Sequence, residues 1–413
     1  MLNFERFTLP NGLRVIVHQD INTPMVAVNV LYDVGARDEH PSQTGFAHLF
    51  EHLMFGGSEN IPSYDEPLQM AGGENNAYTT NDITNYYLQL PVANIETAFW
   101  LESDRMRCLA FKKQSLEVQK KVVIEEFKEH YLNKPYGDAW QHLRQLAYTQ
   151  HPYQWMTIGK EIQHIENAQL EDVKNFFFKH YRPNNAILAV AGNVTTDQIK
   201  ALAEKWFADI EPGEKYIRNL PTEPEQTAER TKTVHADVPL DALYMAWHID
   251  KRLSPGYYAA DLITEILGNG YASRLYQKLV KEQQLFSQIN CYHTGSLDPG
   301  LLIIEGKVTA GCSIHKAHEA VNVIIDELVT QGVTQKELQK ACNKIEAVIS
   351  FEDMSLLSRA NNLAFYELLG DAEKINQELD QYRKITTNII LQTAQRIFRN
   401  ENCNTLFYLK QQG

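Results

Sequence analysis

The chain has 413 residues, 44% of them apolar and 22% charged, with a formal net charge of −13. A chain this long and this ordinary in composition is globular, exceeds one simple core and predicts two domains. The acidic balance argues against a nucleic-acid-binding surface, and no uncharged apolar run reaches the roughly 18 residues that a membrane span needs.

Residues 4–18 read as a hairpin, with FTL and LRVIV flanking the turn signal Asn11-Gly12. Residues 25–32, MVAVNVLY, form the next strand, and Val34-Gly35-Ala36-Arg37 leads into residues 45–58, GFAHLFEHLMFGGS. Phe46, Leu49, Phe50, Leu53, Met54 and Phe55 make that stretch a buried helix, which carries His48, Glu51 and His52 as H-x-x-E-H. Positions four apart share one helix face. His48 and His52 can therefore offer two imidazoles to one ion. Zinc accepts histidine nitrogen and, at a reactive centre, keeps three protein ligands and one open position. Glu51 can reach a water at that position without being a ligand, as a general base must. Unpaired in so apolar a helix, each polar residue would cost about 1–3 kcal/mol. A metal centre explains all three together.

A short helix near 63–71 comes next, then Gly72-Gly73 and a polar strand from Glu74 through Asn76-Ala77-Tyr78-Thr79, followed by strand-like TNDITNYYLQLP. Residues 94–109 form a helix with Phe99, Trp100, Leu101 and Met106 as core candidates. A longer helix spans about 112–134. Its acidic run alone reads as a solvated face. With the histidine motif upstream, Glu125, Glu126, Glu129 and His130 become candidates for a third ligand. Adjacent helix positions lie about 100° apart, so only one of Glu125 and Glu126 can face the site well. Asn133-Lys134-Pro135-Tyr136-Gly137 ends this helix, and His151-Pro152-Tyr153 with Thr157-Ile158-Gly159 reads as a structural loop. Helix 170–181, strand 185–192 and helix 195–207 close a first domain over 1–209.

Residues 210–230, rich in Pro, Glu and Thr, read as a linker. The second domain, 231–413, repeats the first at low fidelity. Strands near 231–237 and 241–249 precede an apolar helix from Tyr257 to Leu267. When its glycine end is aligned with Gly56-Gly57, Ala260, Ile263 and Thr264 stand where His48, Glu51 and His52 stand. The frame is repeated without the metal chemistry. Helix 272–283, strands 286–294 and 300–307, a helical stretch over 313–368, helix 386–397 and strand 404–410 follow. Cys108, Cys291, Cys312, Cys342 and Cys403, odd in number and without short spacing, read as free thiols in a reducing compartment. The start MLNFERFTLPNG lacks a signal-peptide pattern, so a cytoplasmic location is expected, or a periplasmic one if a leader has been removed.

The H-x-x-E-H helix and the elements around it resemble peptidase family M16, the pitrilysin/insulinase-like inverted zincins. The similarity runs over nearly the whole chain. It is strongest to the short subfamily that includes the mitochondrial processing peptidase subunits and bacterial relatives. In the family a strand and a G-x-x-x-E/D turn precede the histidine helix. The resemblance implies an α+β fold of the LuxS/processing-peptidase type: two homologous domains, each a mainly antiparallel sheet packed with helices. It implies one Zn2+ per chain held by His48, His52 and Glu126, because Val122-Val123-Ile124-Glu125-Glu126 matches a V-V-x-x-E context. Glu125 is the runner-up. Asn76 and Ala77 fall on the family's edge strand, which binds substrate backbone by strand addition.

Two departures stand out. Many relatives carry an acidic residue seven positions before the third ligand, where this chain has Gln119, so weaker zinc binding is expected. Active relatives also carry an Arg and a Tyr seven apart after an S-R-L-x-x-x-L helix. Here Ser273-Arg274-Leu275-Tyr276-Gln277-Lys278-Leu279 matches the helix, but Val280 and Ser287 stand at those two positions. The expected function is a zinc metalloendopeptidase acting on peptides or unfolded segments, with Glu51 as base. The expected form is the metal-bearing subunit of a heterodimer whose related partner supplies the Arg/Tyr pair, or a homodimer. The alternatives are a non-catalytic scaffold subunit and a zinc enzyme of another reaction class.

Overall fold

The computed structural model describes residues 1–411, so the last two residues of the range 231–413 lie outside the described residues. Its strands are β1 (Glu5–Thr8), β2 (Arg14–Gln19), β3 (Met25–Tyr32), β4 (Glu74–Thr79), β5 (Thr84–Pro91), β6 (Ala186–Gly192), β7 (Arg230–Ala236), β8 (Ala242–His248), β9 (Phe286–His293), β10 (Leu301–Val308) and β11 (Cys403–Lys410). They form two sheets, ordered β1-β2-β6-β3-β5-β4 and β7-β11-β8-β10-β9. Position follows composition. MVAVNVLY and AILAVAG are apolar on both faces and lie centrally as β3 and β6, whereas ENNAYT alternates and lies at the edge as β4.

The two sheets share one connectivity. β2 pairs parallel with β6, and β7 pairs parallel with β11, while the remaining pairings are antiparallel. In each half a helix follows the central strand (β3 or β8) and precedes the far edge strand (β4 or β9). These are Phe46–Leu53 and Pro255–Gly268. The fold is therefore the expected α+β architecture built twice, and the Pro255–Gly268 helix occupies the topological place of the histidine helix.

The spatial units are not contiguous in sequence. One comprises Met1–Phe127, Trp155–Leu220 and Ile349–Gln377, and the other Lys128–Gln154, Pro221–Val348 and the chain from Glu378 onward. In the first unit, the Leu356–Leu368 helix lays Ala360, Leu363 and Ala364 on a smooth strip of Ala27, Leu31, Ala189 and Ala191. In the second unit, the Ala139–Ala147 helix lays Ala139, Leu143 and Ala147 against Ala242, Ala246, Ile303 and Leu406. Small side chains at helical spacing let each helix approach its sheet closely.

Three helices differ from their sequence reading. The predicted helix over 112–134 is regular over Lys113–Phe127 and continues as a π turn, Lys128–Leu132. The stretch over 313–368 divides into Ile314–Gln331, Gln335–Glu352 and Leu356–Leu368, where Gly332 adopts φ 71° and Ser355 caps Ser358. Most of 272–283 is π-wound, over Tyr276–Glu282.

Before β7 begins, the predicted linker has no regular secondary structure, yet it is anchored. Arg218 forks onto Asp38 (2.7 and 3.1 Å) and reaches Asp33 at 2.9 Å. Gly213 exchanges hydrogen bonds with the Asn184 amide at 2.8 and 2.9 Å. All five cysteines are free, and no helix among the described residues is long and apolar enough to cross a membrane.

Candidate metal centre

The centre begins with how the histidine helix is started. Gly45 sits at φ 89°, and a Cβ there would lie 2.7 Å from the carbonyl oxygen of Ile158. Only glycine enters this turn without strain. The first helical N–H groups need acceptors, and the Glu39 carboxylate supplies them. It accepts from Gly45 N–H at 3.0 Å and Ala47 N–H at 2.9 Å. Burial pushes the Glu39 carboxyl up to about 8, opposed by these two N–H donors. Glu39→Ala is expected to leave both donors unpaired and cost about 1–3 kcal/mol, read as a lowered midpoint of thermal unfolding. Glu39→Gln keeps an acceptor oxygen and should lose less. Equal losses for the two variants would contradict the capping role.

One turn apart on this helix, His48 and His52 present their Nε2 atoms 3.3 Å from each other, with the rings perpendicular. Glu126, on the Lys113–Phe127 helix packed alongside, places Oε2 at 3.6 Å from His48 Nε2 and 3.5 Å from His52 Nε2. The three donors form a nearly equilateral triangle. A tetrahedral zinc with ligands at about 2.0–2.1 Å requires edges of about 3.3–3.4 Å, so the residues fit the ion. Among the described residues this is the one cluster of three metal-binding side chains. Burial, then the neighbouring His52, pushes His48 down to about 4. Its ring is therefore neutral at neutral pH, the form that donates a lone pair to a metal.

Glu51 lies beside the triangle rather than in it. Burial raises its pKa, the neighbouring Thr79 opposes the rise, and His52 and Glu126 act on it through their charges in opposite senses. A carboxylate held above its usual range accepts and returns a proton more readily near neutral pH. Thr79 belongs to β4, the edge strand, against which the histidine helix packs. Beneath the end of that helix, buried Arg105 pairs with Glu102 at 2.9 and 2.5 Å. Its guanidinium lies over the rings of Tyr64, Tyr86 and Phe55.

The sequence-predicted residues divide clearly. His48, His52 and Glu126 come together with Glu51 beside them. Glu125 is exposed, as are Glu129 and His130 in the π turn beyond the helix. Asn76 and Ala77 sit on β4, but their side chains lie on opposite faces. Glu74, Asn76 and Tyr78 are exposed, whereas Asn75, Ala77 and Thr79 are half-buried on the face towards the histidine helix. In the second half, Arg274 is tied to Glu337 at 2.8 and 3.0 Å and to the Gly332 carbonyl. Ser287 is exposed on β9, donating to the Lys307 carbonyl at 3.1 Å.

Sequence reasoning missed Glu39 and Thr79. The first is the acidic end of the G-x-x-x-E turn, where the pattern was visible but its capping role was not. The second carries no signal before its strand is placed beside Glu51.

The family model described as "Insulinase (Peptidase family M16)" matches residues 14–167, and that described as "Peptidase M16 inactive domain" matches residues 167–345. The chain belongs to peptidase family M16. This M16 chain is 28% identical to a Helicobacter pylori protein named zinc protease PqqE, over 98% of this chain and 92% of the relative. It is 25% identical to a probable mitochondrial-processing peptidase subunit beta of Arabidopsis thaliana, over 74% of this chain and 59% of the relative. The crystal structure of a protease from Helicobacter pylori matches with a TM-score of 0.94 at 28% identity, covering 99% of this chain and 100% of that one. Zinc is the metal for which PqqE and other relatives are named, and all four chemical residues of this M16 chain fall in the 14–167 match.

Proposed function

We propose that this M16 chain is a zinc metalloendopeptidase that cleaves peptides or unfolded segments laid along β4, and that a related subunit completes its site. The observation that carries the reading is the triangle of His48, His52 and Glu126 with Glu51 beside it and an open sheet edge next to it. Zinc, when bound by those three side chains, supplies Lewis-acid polarisation of a peptide carbonyl and a water acidic enough to attack it. Glu51 takes the proton of the attacking water and passes it to the departing amine.

The strand edge orders the substrate. Ala77 N–H donates to the Asn76 side chain at 2.8 Å, so it points away from β5 towards the open edge. A peptide adding there exchanges its own carbonyl for the Asn76 amide. Proline is tolerated at an edge position whose N–H faces outward. Ala77→Pro is therefore expected to fold normally by circular dichroism and to lose about tenfold in kcat/KM, mainly through KM. An unchanged KM would remove Ala77 from the binding edge.

The second half offers no Arg/Tyr pair, since Val280 and Ser287 hold those positions. The Arabidopsis relative is itself named a subunit. The reading is tested by assaying a quenched-peptide library with the zinc-loaded chain, alone and with a related chain that carries the pair. Cleavage that rises on mixing, stops on chelation and returns with zinc is expected. Equal cleavage by the chain alone would remove the partner from the scheme. No cleavage in either case would favour a scaffold subunit, the reading to which the "inactive domain" match over residues 167–345 also lends support.

A further inference from the structure

We propose that the side of the β4–β5 hairpin facing away from the metal centre is a specificity pocket. It reads every second residue of a bound peptide and takes a long basic side chain, lysine or arginine. The inference rests on strand addition at β4, as proposed above. A peptide added to that edge continues the pleat, so its side chains alternate between the two sheet faces. One set joins Ala77 and Thr79 on the metal side. The other joins Glu74, Asn76 and Tyr78 on the far side.

On that far side lies a cavity of about 200 Å³ lined by Glu74, Asn75, Asn76, Tyr87, Gln89 and Leu357. Its lining is chemically one-sided. Glu74 supplies a carboxylate, and no lining residue carries a positive charge. Gln89 and Asn76 add amide oxygens. Tyr87, with Tyr78 at 6.3 Å between ring centroids, offers an aromatic face suited to a cation.

The floor behind Tyr87 is also polar. Asn29 is its cross-strand neighbour and Asn85 lies two residues before it on the same face. Both are fully buried, and neither amide has a hydrogen-bond partner among the described residues. Unpaired buried amides favour an occupant, or its water, that can hydrogen-bond. Length matters as well. A side chain on the added strand stands beside β4, and reaching Tyr87 and Gln89 means crossing to the next strand, about 4.8 Å further. Short side chains stop at Asn76. A long acidic one meets Glu74, and a long apolar one leaves the amides unpaired. Lysine and arginine satisfy both reach and charge.

The test uses binding, so that cleavage is not required. Zinc-loaded protein carrying Glu51→Gln is titrated with fluorescent peptides that differ at one position at a time, bearing Lys, Leu or Glu. Lys is expected to bind on the order of tenfold tighter than Leu at one position, or at positions two apart, with Glu weakest. Adding Glu74→Gln or Gln89→Leu should abolish that preference while the Leu peptides keep their affinity. Peptides that bind without a Lys preference, or a preference that survives both substitutions, would overturn the pocket and leave the peptidase reading standing. If no peptide binds and the unsubstituted protein cleaves none, the peptidase reading falls and the pocket with it.

Discussion

Replacing Glu51 with Gln is expected to lower peptide turnover by a factor on the order of 10²–10⁴ while the protein keeps its zinc. Gln has the size of Glu, but it cannot take a proton from water. Glu51 is not among the three atoms of the ligand triangle, so its loss should leave metal content untouched. The two readouts separate a base from a ligand. Loss of zinc in the variant would place Glu51 in the coordination sphere, and full turnover would remove it from the chemistry. Both are measured on one preparation, by peptide cleavage and by metal analysis.

Glu126→Gln is expected to show the opposite pattern, losing zinc first and activity as a consequence. Changes to groups that merely support a ligand already cost about 10–100-fold in metal affinity. Removing the only charged donor of the triangle should cost more than that. Glu125→Gln is the control, since Glu125 is exposed and stands about 100° around the helix. Its zinc affinity should stay within about twofold of the unsubstituted chain. Competition with a chelating dye reads both variants. If Glu125→Gln loses the metal and Glu126→Gln keeps it, the helix is rotated from the arrangement described.

These residues differ in how visible they were in the sequence. His48, Glu51 and His52 are legible because one helix turn fixes their relation, and a buried apolar helix has few other uses for them. Glu126 needed more. An acidic run such as Glu125-Glu126 suits any solvated helix; the V-V-x-x-E resemblance favours Glu126, and packing against the histidine helix brings that one of the pair to the two imidazoles. The strands were legible where composition is decisive, as in MVAVNVLY, whereas ENNAYT reads by itself only as a polar strand and its edge role was implied by the family resemblance.

The Ala139–Ala147 helix was not legible. Its buried stripe is Ala139, Leu143 and Ala147, and two alanines in three give little signal until a sheet face of matching smoothness is present. The same holds for the crossing of segments between the two units. The Leu356–Leu368 helix lies late in the chain, yet its Ala360, Leu363 and Ala364 match the first sheet. Sequence order suggests contiguous domains at 1–209 and 231–413, whereas complementarity of surfaces decides where a helix packs. Likewise, Asn76 and Ala77 read as one binding feature in sequence. The pleat assigns their side chains to opposite faces, and only one of those faces meets the metal centre.

The most direct test of the metal centre is diffraction from crystals of the unsubstituted chain grown with zinc, recorded on both sides of the zinc absorption edge. A single anomalous peak is expected about 2 Å from His48 Nε2, His52 Nε2 and Glu126 Oε2. A peak elsewhere, or none at these three atoms at saturating zinc, would contradict it.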